Sequence, residues 1–244
     1  MSGKLGCVAA HRAVPGSVNT LALCCAADAS LFYAFVRATT GAHPPLNVMA
    51  YILELTQCVR PGLRELYDML LAQKAAGRVS HIFMCTAASD CEGWVTFLRH
   101  TLETWYNAPI YDGVVDCLQL DAWNASHGVR RVGCMPVYKD MMLIRALANK
   151  GADARVFAVD DRPQYIRNGE TLGVTPYFVA VNLLELVRLV APSLYPAAAE
   201  KATCETLQAS WNAFVMDPRT VTDVRADTAL RTCTAALLEK LMHL

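Results

Sequence analysis

The 244-residue chain lacks a long uninterrupted apolar run and an excess of charge of either sign. Its most apolar window, Val18 to Val36, contains four polar residues and therefore does not supply the ~20 consecutive apolar residues of a transmembrane helix. The 22 basic and 22 acidic residues cancel, so no large positive field is available to hold a nucleic acid backbone or an anionic membrane. We therefore expect neither a membrane nor a nucleic acid as partner.

The sequence also lacks an apolar signal core before Pro15, which predicts an intracellular protein, cytoplasmic or nuclear. None of the ten cysteines belongs to a C-x-x-C pair. Thiol spacing therefore supports neither a zinc site nor a disulfide framework. We interpret the cysteines as small core residues.

What the chain has is apolar material for a core. Hydrophobic residues make up 54% of the sequence and charged residues 18%, which argues against disorder. There are no internal repeats and no evident linkers. This predicts a single domain over residues 1–244, with its core from about residue 17 to 192 and a helical extension over 193–244.

Three short apolar runs predict strands that are buried on both faces: Thr20–Cys25, His81–Cys85 and Arg155–Val159. Amphipathic segments precede the second and third runs. One has apolar residues at helical spacing from Leu63 to Leu70, and the other starts at Met141 and is expected to stop at Gly151. Alternating strands and helices indicate an α/β fold with a central parallel sheet and helices on both faces.

Two later helices are predicted as scaffold, over Tyr177–Val190 and Asp227–Leu241. The second carries apolar residues at core spacing. These are Leu230, Cys233, Leu237 and Leu241.

Polar residues follow each predicted strand, where ligands of parallel sheets bind. Asp28 and Ser30 follow the first strand, Thr86 the second, and Asp160 and Asp161 the third. Adjacent aspartates at a strand end suggest a Mg²⁺ site, because Mg²⁺ takes oxygen ligands and usually one or two carboxylates. A solvated turn is the alternative interpretation of this pair.

Four motifs, in this order and spacing, resemble the haloacid dehalogenase (HAD) superfamily of aspartyl phosphatases. Within it, they resemble the FCP/SCP-type phosphatases that act on the RNA polymerase II C-terminal domain. The resemblance spans roughly Val18 to Pro192. Besides the first motif, it rests on Arg60-Pro61-Gly62-Leu63-Arg64-Glu65-Leu66, Thr86, Tyr138-Lys139-Asp140-Met141 and Val159-Asp160-Asp161-Arg162-Pro163. It implies a Rossmann-like HAD fold.

The first motif of that superfamily, Asp-x-Asp-x-Thr, corresponds here to Ala26, Asp28 and Ser30. In the family, the first aspartate attacks phosphorus and becomes an aspartyl phosphate. An alanine cannot do this, so Ala26 occupies the nucleophile position without supplying the nucleophile. The resemblance assigns Asp28 to general acid and base catalysis and to metal binding, and Ser30 to phosphate binding.

The remaining matches carry the other roles that the resemblance implies. Thr86 would hydrogen-bond a phosphate oxygen, and Lys139 would neutralise charge on the transferring phosphoryl group. Lys139 is one of only six lysines, although a solvated surface lysine is the simpler interpretation. Asp160 and Asp161, with Asp28, would hold Mg²⁺.

The resemblance thus implies a Mg²⁺-dependent phosphatase of phosphomonoesters that is inactivated at Ala26. Its expected substrate is a protein or peptide carrying phosphoserine or phosphothreonine, although a small phosphomonoester also fits. Ala26 has two possible origins. It is either a replacement that traps substrate on an otherwise active enzyme, which we favour because the other polar positions are present, or the mark of a natural pseudophosphatase that binds phosphorylated partners.

The lengths of the segments between motifs argue against a large cap domain, because Leu31 to Arg60 is too short for one. The longer segment from Ala87 to Tyr138 is rich in aromatic residues, which pack in cores more often than they line recognition surfaces. The aromatics concerned are Trp94, Trp105, Tyr106, Tyr111 and Trp123.

A rival motif is the match of Cys58 to Arg64 with C-x5-R, the signature of cysteine-dependent phosphatases. One such match is expected by chance in a chain with ten cysteines. Pro61 and the helix predicted to start beside it also oppose a phosphate-cradling loop. We therefore interpret Cys58 as structural.

Overall fold

The computed structural model describes residues 45–55, 59–87, 90, 93–129, 137–175 and 226–243. This part of the chain is mixed α/β, as the sequence predicts. Its helices are α1 (Leu46–Leu55), α2 (Leu63–Ala75), α3 (Trp94–Tyr106), α4 (Cys117–Ser126), α5 (Met141–Leu147) and α6 (Ala229–Met242). Its strands are β1 (Phe83–Cys85), β2 (Gly113–Val115), β3 (Lys139–Asp140), β4 (Phe157–Asp160), β5 (Ile166–Arg167) and β6 (Glu170–Gly173).

All strand pairing among these residues is parallel. β1 pairs with β2, β3 with β5, and β4 with β6, so the described strands form three two-stranded pairs and no continuous sheet. Helix α3 crosses from β1 to β2, which makes a β-α-β unit. The second and third apolar runs were thus correctly predicted as strands, each shifted by one or two residues.

Strands β1 and β4 place alternate side chains in two different hydrophobic clusters. Met84 of β1 and Val159 of β4 pack in the first cluster, with residues of α2, α3 and α6. Cys85 of β1 and Ala158 of β4 pack against the second cluster, with residues of α4 and α5. In a strand, successive side chains point to opposite faces. Helices therefore cover both faces of β1 and β4.

Helix α2 forms as its apolar spacing predicts. Leu63, Leu66 and Tyr67 are almost completely buried. Lys74 in its last turn is favourable to the helix dipole. The chain enters α2 through Gly62, whose φ of 90° lies in the left-handed region that glycine tolerates best.

Helix α5 ends earlier than predicted. It stops at Leu147, and the left-handed residue after it is Asn149, with φ 52°, whereas Gly151 has no positive φ. Asparagine is the residue other than glycine that most often takes this conformation at a helix end. The prediction of Gly151 as the stop signal was therefore wrong.

Helix α6 is an integral part of the core. Its four predicted core residues are all buried in the first cluster. Arg60, 1% exposed, donates from Nε to Asp227 Oδ2 (2.7 Å) and from Nη1 to the Thr175 carbonyl (2.6 Å). Asp227 also accepts the backbone N–H of Ala229 in the first turn of α6. A buried arginine thus ties the start of α6 to the chain after β6.

Two further predictions, the strand Thr20–Cys25 and the helix Tyr177–Val190, lie outside the described residues. Within the described ranges, no helix is long and apolar enough to cross a membrane.

The environment of Gly62 predicts a costly substitution. An alanine Cβ at this position would lie 2.8 Å from Arg231 Cγ and 3.1 Å from Arg231 N, in addition to the strain of φ 90°. We expect Gly62→Ala to lower the free energy of unfolding by about 2–4 kcal/mol, measured by urea denaturation. Gly77→Ala is the matched control, since Gly77 has φ 75° with no atom within 4 Å, and it should cost about 1 kcal/mol. Equal losses in the two variants would show that the contact with α6 is not tight.

Candidate functional site

Three of the predicted site residues lie at strand ends and are buried. Thr86 follows β1, Lys139 begins β3, and Asp160 ends β4; their exposed fractions are 6%, 5% and 4%. The interpretations of Lys139 as a solvated lysine and of Asp160 as part of a solvated turn are therefore wrong. Buried charged groups need partners, because desolvation of an unpaired charge costs several kcal/mol.

Lys139 and Asp160 are each other's partner. The ammonium Nζ lies 2.5 Å from Asp160 Oδ2, although the two residues are 21 positions apart in sequence. The second oxygen, Oδ1, accepts the backbone N–H of Arg162 at 2.8 Å. Both carboxylate oxygens of Asp160 are thus engaged, and the pair places one positive and one negative charge at the carboxyl end of β4.

Cys85, at the end of β1, is close enough to this pair for both charges to affect the pKa of its thiol. Burial raises the pKa of its thiol to about 11, with a lowering contribution from Lys139 and a raising one from Asp160. The thiol is therefore protonated at neutral pH and is not an activated nucleophile. The electrostatic coupling also indicates that the carboxyl ends of β1 and β4 are neighbours.

The backbone of Thr86 is fixed by β2, since its N–H donates to the Val115 carbonyl at 2.8 Å. This bond continues the β1–β2 ladder by one residue. The position of Thr86 directly after β1 agrees with the sequence prediction of a polar residue at that strand end.

The strand that carries Lys139 is held by a second buried carboxylate, Asp140. This side chain accepts from the Met142 N–H (3.0 Å), Asn168 Nδ2 (2.9 Å) and Trp123 Nε1 (3.2 Å). Burial by itself raises the pKa of Asp140, but these hydrogen bonds, with a smaller contribution from His127, outweigh it and hold the pKa below the usual value. Asp140 is therefore ionised at neutral pH.

Asp161 is half-buried beside Asp160. Among the described residues, no three His, Cys, Asp or Glu side chains converge as a metal site would require. The two adjacent carboxylates nevertheless fit Mg²⁺, which in phosphoryl-transfer sites uses one or two carboxylates together with water and substrate phosphate. Asp160 would have to bind Mg²⁺ through an oxygen that already accepts a hydrogen bond from Lys139 or Arg162.

A cavity of about 540 Å³ is lined by all of β1 and β4. Leu66 and Tyr67 of α2 contribute to its walls, as do Lys139 and Ile144. Its lining is mostly apolar, and Lys139, Asp160 and Thr86 bring polar groups to it.

The remaining predicted site residues, Ala26, Asp28 and Ser30, lie outside the described residues, as does Cys58. Arg64, the other half of the C-x5-R match, lies in α2 with its guanidinium 4.7 Å from the centre of the Trp105 ring. The aromatic residues of the 87–138 segment pack against the two core clusters, as expected.

Sequence reasoning missed the contacts of Asp140. A signal for Asp140 exists, since an aspartate directly before an apolar helical run is a typical N-cap. Its bonds to Trp123 and Asn168 have no sequence signal, because they join three separate segments.

No protein-family model, curated protein or solved structure matches this chain.

The buried pair predicts a steep cost for removing one partner. Lys139→Met should lower the free energy of unfolding by about 3–5 kcal/mol, because it leaves the Asp160 carboxylate buried and unpaired. The double variant Lys139→Met/Asp160→Asn should recover most of this loss, measured by urea denaturation.

Lys240→Met serves as the control for the Lys139→Met variant. Lys240 pairs with Glu170 at 3.2 Å, but their side chains are 42% and 37% exposed, so the loss should stay below about 1 kcal/mol. A similar small loss for Lys139→Met would contradict a desolvated pair.

Proposed function

We propose that this chain is a HAD-type phosphatase of the FCP/SCP kind whose nucleophile position is occupied by Ala26. The observation that carries the proposal is the buried Lys139–Asp160 pair, 2.5 Å between Nζ and Oδ2. The motifs nominated these residues separately, as the phosphate-neutralising lysine and as a metal ligand. Their contact, from the start of β3 to the end of β4, supports the proposal, since catalysis of phosphoryl transfer is mostly positioning and charge stabilisation.

The strand arrangement supports a Rossmann-like HAD fold. Strands β1 and β4 share the same two helix-covered faces and line one cavity. All strand pairing within the described residues is parallel, as in a Rossmann-like sheet.

The resemblance implies the following chemistry when an aspartate stands at residue 26. Its carboxylate attacks phosphorus while Asp28 protonates the leaving oxygen. Asp28 then takes a proton from the water that hydrolyses the aspartyl phosphate. Thr86 donates a hydrogen bond to a phosphate oxygen, and Lys139 balances the negative charge of the phosphoryl group.

Mg²⁺ would be held by Asp160 and Asp161, with Asp28, and would supply further positive charge to the phosphate. With this ion and one lysine, a chain of zero net charge acquires a local positive field for an anionic substrate. The expected substrate class is a phosphoserine or phosphothreonine protein or peptide.

The second candidate function is a pseudophosphatase that binds phosphorylated partners without turnover. Ala26 itself favours it, because the chain as written has no nucleophile at that position. The two candidates differ in whether restoring a carboxylate at residue 26 restores hydrolysis.

Restoring the nucleophile should restore activity. We expect Ala26→Asp to hydrolyse an aryl phosphate and phosphoserine peptides in the presence of Mg²⁺, at least about 10³-fold faster than the parent chain. Steady-state release of inorganic phosphate measures this. The matched control is Ala26→Asn, which has nearly the same shape but no attacking carboxylate.

Equal rates for the aspartate and asparagine variants would reject the enzyme. Phosphopeptide binding by the parent chain would then decide for the pseudophosphatase.

Metal binding is checked independently: Mg²⁺ should raise the melting temperature of the parent chain, and Asp160→Asn should abolish the rise. Asp112→Asn, at a surface carboxylate that pairs with Lys74, should retain it.

A further inference from the structure

Lys139 is carried by a strand of only two residues, and the second residue is a buried carboxylate. β3 consists of Lys139 and Asp140, whose side chains point to opposite faces because they are successive residues of a strand. Lys139 bonds to Asp160, whereas Asp140, 9% exposed, bonds to other elements. Such a short strand gains little rigidity from its own ladder, so its position depends on side-chain contacts.

Asp140 fastens β3 to three elements at once. Oδ1 accepts from the Met142 N–H at the start of α5 and from Asn168 in the turn between β5 and β6. Oδ2 accepts from the indole Nε1 of Trp123 in α4. All three partners are donors, and an ionised carboxylate is the side chain that offers only acceptors.

The partners of Asp140 are themselves fixed. Asn168 has a left-handed backbone with φ 55°, and its carbonyl accepts from Arg145 Nη1 at 2.6 Å. On the other side of Lys139, the Tyr138 carbonyl accepts from Asn124 Nδ2 of α4 at 2.9 Å. Both chain neighbours of Lys139 are therefore tied to α4.

We propose that Asp140 is the positioning residue of Lys139. It fixes the backbone of β3 so that the ammonium reaches Asp160 and the phosphate that the proposed function places beside it. The role of the ammonium in this inference rests on the proposed function. The position of Lys139 beside Asp160 is independent of that function. A displacement of about 1 Å of a catalytic group can cost about 10²-fold in rate, which is why a separate anchor for this lysine matters.

The test substitutes Asp140→Asn in the Ala26→Asp background. If asparagine keeps its oxygen towards Met142 and Asn168, its amide N–H faces the indole N–H of Trp123, so two donors oppose each other. We expect kcat to fall at least about 10-fold while KM changes less than about 3-fold. Adding Trp123→Phe removes the opposing donor and should restore part of kcat.

A readout without catalysis keeps the result separate from the proposed function. In the parent chain, the ¹⁵Nζ resonance of Lys139, identified by its loss in Lys139→Arg, reports the bond to Asp160. We expect this resonance to shift or broaden in Asp140→Asn. Asp116→Asn is the matched control, since Asp116 is a buried N-cap of α4 that accepts from the backbone N–H groups of Gln119 and Asp90, and it should leave the resonance in place.

An unchanged Lys139 resonance in Asp140→Asn overturns the positioning role, whether or not Ala26→Asp is active. A changed resonance beside an inactive Ala26→Asp supports the positioning role and rejects the phosphatase. If Asp140→Asn does not fold, Asn168→Ala removes one donor and should produce a smaller change of the same resonance, and no change there would equally overturn the inference.

Discussion

The buried ion pair of Lys139 and Asp160 is the constraint on which the described site depends. The two residues come from different strands, so the pair can close only when β3 and β4 have the right relative position. An ion pair withdrawn from water is costly unless its geometry is good and its remaining donors and acceptors are satisfied. The second oxygen of Asp160 meets this demand through the Arg162 N–H. The strand ends are thus held by electrostatics as well as by apolar packing.

The same demand explains two other buried charges in the molecule. Asp140 is surrounded by three donors, and Arg60 donates to both oxygens of Asp227 and to the Thr175 carbonyl. Each buried charge joins segments that are far apart in sequence, with Arg60 and Asp227 separated by 167 positions. Apolar packing tolerates many side-chain combinations of similar volume, whereas a buried charge accepts few partners. These three networks therefore select one arrangement of the helices around the strands.

The sequence predicted the elements well where periodicity is strong, and less well at their ends. The apolar runs before Thr86 and Asp160 became strands, and the helices beginning near Leu63 and Asp227 formed with the expected buried faces. The end of α5 was misjudged, because asparagine and glycine can both end a helix in the left-handed region and only the three-dimensional context selects between them. The pairing of the described strands into three pairs is also not encoded locally, since it depends on contacts between distant segments.

For the candidate site, the motifs nominated Lys139 and Asp160 separately, and the alternative interpretations were a solvated lysine and a solvated turn. Burial decides between these interpretations. Whether a charged residue is buried depends on whether a distant segment of the chain places a side chain of opposite charge beside it. The bonds of Asp140 were out of reach for the same reason, because Trp123 and Asn168 lie 17 and 28 positions away.

A buried ion pair adds little net stability over apolar side chains of similar size, and replacing such pairs is often neutral or stabilising. Stability alone is therefore a poor reason for Lys139 and Asp160 to be placed at the edge of an apolar cavity. Charges held away from water at the carboxyl end of β4 suit an anionic ligand, because electrostatic interactions strengthen where water is excluded. The chemistry we propose explains why the pair is present despite its desolvation cost, because the lysine is already desolvated and oriented before the phosphate binds.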